Sequence, residues 1–402
     1  MMHKTGINEI VSIIKQMESH FIRNNYSSFD PCDIKALPWI MKYYSVFYKK
    51  SYSKFAIYPL ERVIEKFPGF IRNVAKIKKR RYAQASALIV RGKIILYRWL
   101  NDSQYLDTAK EMLDWIIEQK TEQTQYTSWG QPYNWFSKEV IPADTPRTTV
   151  TSQMLHTFID IYQETKEGKW YHVIQDICNF FLFEMKRSYE SEQEICFSYT
   201  TTDNYKVHNA NMMAASALYR AGKVLSKPEI SELAWKCLTF TMNRQNHDGS
   251  WYYYELENNI PSKIDNYHSG YILEALAVIK GIEEDKFVYN DNFNNGIDYY
   301  IRNFFNNNHI PKITPGSLYP MDIQSCAQSL ITLVYLSRYR NDCTSLAENV
   351  VNFTLENFYS DEGWFFYRIE KNSHVNKNSY IRWGDAWMYL GLIRYLTMLK
   401  NE

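Results

Sequence analysis

With 402 residues, 45% of them hydrophobic, and a formal net charge of +2, the chain can bury about three-quarters of the surface its unfolded form exposes, so its core needs no staple. The balanced charge supports neither nucleic acid nor an anionic membrane as a partner. Six scattered cysteines with no CxxC pair read as free thiols of a reducing, cytoplasmic setting.

The first sixteen residues, MMHKTGINEIVSIIKQ, interrupt their apolar positions with charges and lack a small-residue cleavage site, so they are not expected to be a signal peptide. Residues 1–75 are expected to supply helices that close the barrel argued for below. The most apolar stretch is 85–100, ASALIVRGKIILYRWL, with Arg91 and Lys93 inside it. A membrane-spanning helix would bury both charges in lipid, so this segment reads as an interior helix and no integral membrane segment is expected.

That helix, Tyr82–Leu100, is the first of six that are apolar on most sides. The others are Thr148–Tyr162, Asn209–Ala221, Tyr267–Lys280, Asp322–Leu336 and Trp383–Leu396. Their starts recur at a spacing of roughly 55 to 66 residues. Between them lie one-sided helices: Ser103–Glu118, Trp170–Lys186, Glu229–Arg244, Asn292–Asn306 and Ser345–Asn357. In the last, Leu346, Val350, Val351 and Leu355 recur at three- and four-residue spacing. Helices wrapped in apolar side chains belong inside, one-sided ones outside. The alternation predicts an all-α (α/α)6 toroid, a six-hairpin barrel forming one domain over residues 1–402. The outer partner of the first inner helix is expected from the N-terminal 75 residues.

Four loops lead into inner helices in the same way: Trp129-Gly130 with Trp135, Cys196-Phe-Ser-Tyr199, Asp248-Gly-Ser-Trp-Tyr-Tyr-Tyr254 and Asp361-Glu-Gly-Trp-Phe-Phe-Tyr-Arg368. Glycine permits the tight turn, and the aromatic runs favour short β-ribbons at the rim. The inner-helix openings that follow are polar, and each aims backbone N–H groups into a central cleft. Asp144-Thr-Pro-Arg147, His208-Asn209-Ala-Asn211, Asp265-Asn-Tyr-His268, Asp322-Ile-Gln324 and Arg382-Trp-Gly-Asp385 open the second to sixth inner helices.

An imidazole changes charge near neutrality, so His208 and His268 are acid/base candidates. Asp265 and Asp322, with Asp203 and Glu255, are carboxylates able to serve as an acid/base pair. Asp265 and Asp322, like Asn209, also fit a plain helix cap. Arg147, Arg368 and Arg382 can clamp a carboxylate or phosphate. Trp251, Tyr252, Tyr254 and Trp364 offer ring faces to a sugar, and Asn209, Asn211 and Asp385 offer hydrogen bonds. The chain has neither a metal-binding HExxH or paired-Cys motif nor a Gly-rich phosphate loop, so no cofactor or metal is expected.

Gln245-Asn-His-Asp-Gly-Ser-Trp251 fits the Q-x-x-x-G-x-W repeat of toroidal terpene cyclases, without that family's DxDD. A closer resemblance spans residues 125–398. The ordered set SWGQPYNW, DTPRTTVT, VHNANMMAA, QNHDGSWYYY, DNYHSGYILEAL, YPMDIQSCAQ, GWFFYR and YIRWGDAWMYLGL resembles helical proteins of bacterial capsule and exopolysaccharide biosynthesis. Their toroid is similar to that of N-acylglucosamine 2-epimerases and six-hairpin glycosidases. The resemblance implies a carbohydrate-active enzyme of cell-surface polysaccharide biosynthesis, with epimerase, lyase or hydrolase chemistry on a sugar or glycan, an anionic one included. A terpenoid-cyclase-like toroid and a non-catalytic glycan-binding scaffold are the alternatives.

Overall fold

The computed structural model describes residues 6–48, 53–137, 139–255 and 262–400, so both ends of the expected 1–402 domain lie outside it. Helices α1 (Ile7–Arg23), α2 (Pro38–Phe47), α3 (Ser53–Lys66) and α4 (Pro68–Val74) come first. Inner and outer helices then alternate: α5 (Ala83–Leu100), α6 (Ser103–Glu118), α7 (Thr148–Thr165), α8 (Gly168–Asn179), α9 (His208–Leu225) and α10 (Pro228–Met242). They continue with α11 (Asn266–Glu283), α12 (Asn290–Phe304), α13 (Ile323–Leu336), α14 (Asp342–Phe358) and α15 (Ala386–Lys400).

The ring closes through the inner helices alone. Helix α5 packs on α7, α7 on α9, α9 on α11, α11 on α13, α13 on α15, and α15 returns to α5. Their side chains are buried nearly all round, as on α9, where Ala210, Ala214, Ala217 and Ala221 let neighbours approach closely. The fold is an (α/α)6 toroid. Of the expected outer helices, Trp170–Lys186 is shortened: α8 ends at Asn179 and a π-helical turn covers Phe180–Glu184.

One pairing differs from expectation. Each outer helix covers the inner helix before it, so α6 is the partner of α5. The N-terminal α1 instead packs on α15, the sixth inner helix. Ile10, Ile13, Ile14, Met17 and Phe21 form its buried stripe at helical spacing. Two glycines mark the same equivalence. Gly249 and Gly363 both have φ near +90°. A Cβ on either would strike backbone of the next outer helix, Asn295 on α12 for one and Gln16 on α1 for the other.

Short ribbons sit on the rim, pairing 135–136 with 140–141, 187–190 with 195–197, 359–360 with 364–365, and 368–369 with both 321–322 and 375–376. Among the described residues, loop 248–254 makes a single bridge, Val207 to Tyr254. Helices α2–α4 form a separate small core of Ile34, Ile40, Tyr44 and Ile64.

Candidate functional site

The N-terminal ends of all the inner helices meet around one cavity of about 270 Å³. Its lining follows a register. Gln84, Thr149, Asn209, Tyr267 and Gln324 are each the second residue of α5, α7, α9, α11 and α13, and all five line it. Arg382 is likewise the second residue of the π-helical turn Ile381–Asp385 that leads into α15. One turn further on, Gln153, Met213, Tyr271 and Trp387 extend the wall. At 3.6 residues per turn, residues four apart share a helix face.

His268 is the best-placed acid/base group. Its Nδ1 lies 2.8 Å from Asp265 Oδ2, and Asp265 also caps α11 by accepting from the His268 N–H at 3.1 Å. Burial works against the Asp265 carboxylate, but the His268 ring and Lys263 outweigh it and hold its pKa well below the usual carboxylate range. Lys263 Nζ lies 3.0 Å from Asp265 Oδ2. Burial also lowers the pKa of His268, against the pull of Asp265. The imidazole is therefore neutral at pH 7. An ionised carboxylate only accepts, so Nδ1 carries the proton and Nε2 keeps its lone pair. The rings of Tyr253 and Tyr267 pack 4.3 and 4.5 Å from the imidazole, centroid to centroid.

Arg147 lines the same cavity and is only 6% exposed. Its guanidinium stacks 4.9 Å from the Trp135 ring, and among the described residues its Nε has no hydrogen-bond partner. Three amide oxygens of the lining are orphaned too: Gln153 Oε1, Asn209 Oδ1 and Gln324 Oε1. Buried polar atoms are rarely left unpaired in a folded protein. Here one charged donor and three acceptors border one cavity. Gln324 is held in place by its Nε2, which donates to Tyr271 Oη at 2.9 Å.

A second cavity of about 350 Å³ adjoins the first, sharing Trp135, Tyr199, Tyr253 and Lys263 with it, and Tyr254 and Glu255 line it further out. Together they have room beyond a single ring.

The other expected site residues are bound elsewhere. Arg382 borders the cavity, but its guanidinium is committed to Asp30 by two hydrogen bonds, the NH2 bond being 2.8 Å. Arg368 reaches Asp322 at 3.1 Å, and Asp322 caps α13 through the Gln324 N–H at 2.9 Å. These corrections leave Arg147 as the clamp without a carboxylate of its own among the described residues. His208, the first residue of α9, stacks on Phe240 at 5.8 Å and lies off the cavity lining. Burial pushes its pKa down to about 4. Asn211 ties α9 to the ribbon and α10, accepting from Phe197 N at 3.1 Å and donating to Cys237 O at 2.9 Å.

Asp385 does the equivalent for the last hairpin, accepting from Phe365 N at 2.8 Å and Ser379 Oγ at 2.6 Å. Burial raises its pKa to about 6. Trp251 is a packing residue: it is buried beside Gly296, and its Nε1 donates to Thr241 O at 3.1 Å. Trp364 packs against His20 of α1. Tyr252 is half-buried and borders neither cavity, whereas Tyr253 borders both. Asp203 turns its carboxylate onto its own loop, accepting from the N–H groups of Tyr199, Thr200 and Tyr205.

Sequence reasoning passed over Tyr253, Gln153, Gln84, Tyr267 and Tyr271. The signal for four of them, all but Tyr253, was the second-residue register with its one-turn echo, which required the helix starts to be known to the residue.

No protein family and no functionally described protein matches the sequence. The fold, however, is shared with solved structures. A cellobiose 2-epimerase from Bacillus thermoamylovorans superposes with a TM-score of 0.62 at 10% identity, over 81% of this chain and 90% of that one. A possible member of the GH105 family from Salmonella enterica gives 0.66 at 12% identity, over 98% and 95%. A glycosyl hydrolase family 88 protein from Bacteroides vulgatus gives 0.61 at 10%, over 98% and 99%. At these identities the likeness is one of fold. Among the described residues no helix is long and apolar enough to cross a membrane.

Proposed function

We propose that the protein is a carbohydrate-active enzyme that removes a C–H proton from a uronic-acid residue of a glycan, as a lyase or an epimerase. The observation that carries this reading is Arg147, a buried guanidinium with no carboxylate partner among the described residues, on the same cavity as the His268–Asp265 pair. A sugar carboxylate opposite Arg147 has its charge neutralised by charge-assisted hydrogen bonds. That neutralisation acidifies the adjacent C5–H. His268 Nε2 takes the proton, and Asp265 stabilises the imidazolium that forms. The electron pair left at C5 then expels the C4 oxygen substituent, forming a C4=C5 bond. In an epimerase a proton returns to C5 from the opposite face instead. Orphaned amide oxygens suit sugar hydroxyls, which need acceptors, and the tyrosine and tryptophan walls suit the C–H faces of the ring.

Among the described residues the central cavity is lined by no Asp or Glu, and Glu255 of the adjoining one is paired with Arg244 at 2.8 Å, so the pair of facing carboxylates that glycoside hydrolysis normally requires is not supported. A polar lining also disfavours the terpenoid-cyclase reading. The sugar-processing neighbours in the same fold, an epimerase among them, fit this chemistry. We further propose that residues 1–402 act as one unit in making a cell-surface polysaccharide. All six cysteines are free, which fits a cytoplasmic setting.

Incubation with uronic-acid oligosaccharides in deuterated water tests the reading. Epimerisation is expected to place deuterium at C5, and elimination to give a product absorbing in the ultraviolet. Hydrolysis with neither signature, or binding without turnover, would discard it.

A further inference from the structure

The charge of this protein is unevenly placed. The chain as a whole carries +2, yet residues 35–81 hold thirteen Lys and Arg against Glu61 and Glu65, a net of +11, which leaves −9 on the remainder. The same stretch forms α2–α4, and there large apolar side chains stand in solvent.

On α3, Ile57, Leu60 and Ile64 face the small core. The opposite stripe is Phe55, Tyr58, Arg62 and Lys66, at spacings of three and four residues, with Phe55 85% and Tyr58 59% exposed. On α4 and the residue before it, Phe67, Phe70 and Val74 repeat the pattern, with Phe70 71% exposed. On α2, Trp39, Lys42 and Val46 do so opposite Ile40 and Tyr44. Lys76, Lys78 and Lys79 are exposed just beyond. A monomeric soluble surface rarely leaves so many large apolar groups unpartnered.

We propose that α2–α4 dock the protein on a membrane surface rich in anionic lipid. Helices that present aromatic and aliphatic side chains among lysines and arginines, without length enough to span, lie in the interfacial plane: rings enter the headgroup boundary while cations meet lipid phosphates. A second copy of this chain is a poor occupant, because two such basic surfaces would repel. Nucleic acid would meet the charges but gain little from Val46, Val74 and the phenylalanines.

The face also lies beside the candidate site. A largely apolar groove of about 920 Å³ is lined by Tyr48, Phe55 and Tyr58, and it shares Cys32 and Trp135 with the central cavity. Docking therefore brings the cavity close to the membrane surface. The proposal does not depend on the reaction assigned to the cavity, and its test uses no sugar.

Co-sedimentation of the full chain with vesicles of phosphatidylcholine alone, or mixed with phosphatidylglycerol, decides it. Binding is expected only to the mixed vesicles and to weaken as salt is raised. Reversing Lys42, Arg62 and Lys66 to Glu together should weaken it about a hundredfold. Phe55→Ser with Phe70→Ser should weaken it about tenfold. All of these side chains are exposed, so both variants should keep the wild-type melting temperature. No binding at low salt, or equal binding to both vesicle types, overturns the proposal. So does a duplex DNA oligonucleotide bound as tightly as the mixed vesicles with no loss in the phenylalanine variant. Self-association that the same variants abolish also overturns it.

Discussion

The openings of the third and fourth inner helices start from nearly the same ingredients and end differently. Each places a histidine and an asparagine within its first four residues. In the third, His208 is the first helical residue and its ring lies on Phe240, with Nδ1 unpaired. In the fourth, His268 is the third, and the capping carboxylate of Asp265 reaches its ring. A two-residue offset on a helix is a rotation of about 200°. That rotation separates a ring pressed against an outer helix from one facing the cavity. Residue type nominated both histidines, and register decides between them.

The sharpest way to break this comparison is to remove each ring. His268→Ala should lower kcat/KM by about a thousandfold, the scale of a lost general base, with little change in melting temperature. His208→Ala should do the reverse, costing about 2 to 4 kcal/mol of stability through the cavity it leaves while the folded fraction keeps its kcat. Calorimetry with turnover assays on both variants checks the pair. If His208→Ala abolishes turnover in a protein that melts normally, the register argument fails.

The toroid was legible because its signal is long and repeated. Six apolar helices at one period cannot easily be anything else, and their observed starts fall within three residues of those expected. The site was legible only as a neighbourhood. Arg382 could not be seen as neutralised, because its partner Asp30 lies 352 residues away. The π-helical turn at Ile381–Asp385 also shifts the register of the last opening, and no local residue announces it. Trp251 looked like a stacking platform because Gly296, which makes room for its ring, sits on another helix. Aromatic type was readable in these loops, but the face each ring presents was not. Tyr253, between two residues expected to stack, is the one that reaches His268.

The two cavity arginines sharpen the same lesson. Arg382→Ala strands the fully buried Asp30 carboxylate and should destabilise the protein by about 3 to 5 kcal/mol, weakening charged and neutral sugars alike. Arg147→Ala removes no ion pair among the described residues. It should leave stability nearly unchanged and cost a uronate about 1 to 3 kcal/mol more than its neutral analogue. Isothermal titration of both sugars against both variants, with thermal melts, separates the roles. Equal losses for the two sugars in Arg147→Ala would remove the anion from the proposal.

The pH dependence of stability should also divide the histidines. His208 is held neutral by burial, with its pKa lowered to about 4, whereas in the unfolded chain it titrates near the ordinary value of about 6.5. Between those values the unfolded state binds the proton and the folded state does not. Stability from this residue is therefore complete above pH 6.5 and lost as pH falls towards 4, by about 3 kcal/mol at most. His208→Phe, which keeps a ring against Phe240, should flatten the denaturation profile over that interval. His20 is also lowered to about 4 by burial and leaves a residual slope in the variant. An unchanged slope would mean that His208 is protonated in the folded state.

The smallest expected effect makes the most local comparison, Asn209 against Asn211, two residues apart on α9. Asn211 makes hydrogen bonds to Phe197 N, Ile195 O and Cys237 O. Asn211→Ala strands those groups and should cost about 2 to 3 kcal/mol of stability. Asn209 differs because its Oδ1 is buried and has no partner among the described residues, so the folded protein already bears the cost of desolvating it. Asn209→Ala should then leave the melting temperature almost unchanged or raise it slightly. If the orphan oxygen accepts a sugar hydroxyl, the same substitution should weaken ligand binding by about 1 kcal/mol, roughly fivefold. A structural role for Asn209 would give the opposite pattern, a lower melting temperature with ligand affinity intact. Paired melts and titrations on the two alanine variants distinguish these outcomes, because only a residue kept for its ligand can be removed from the free protein without loss.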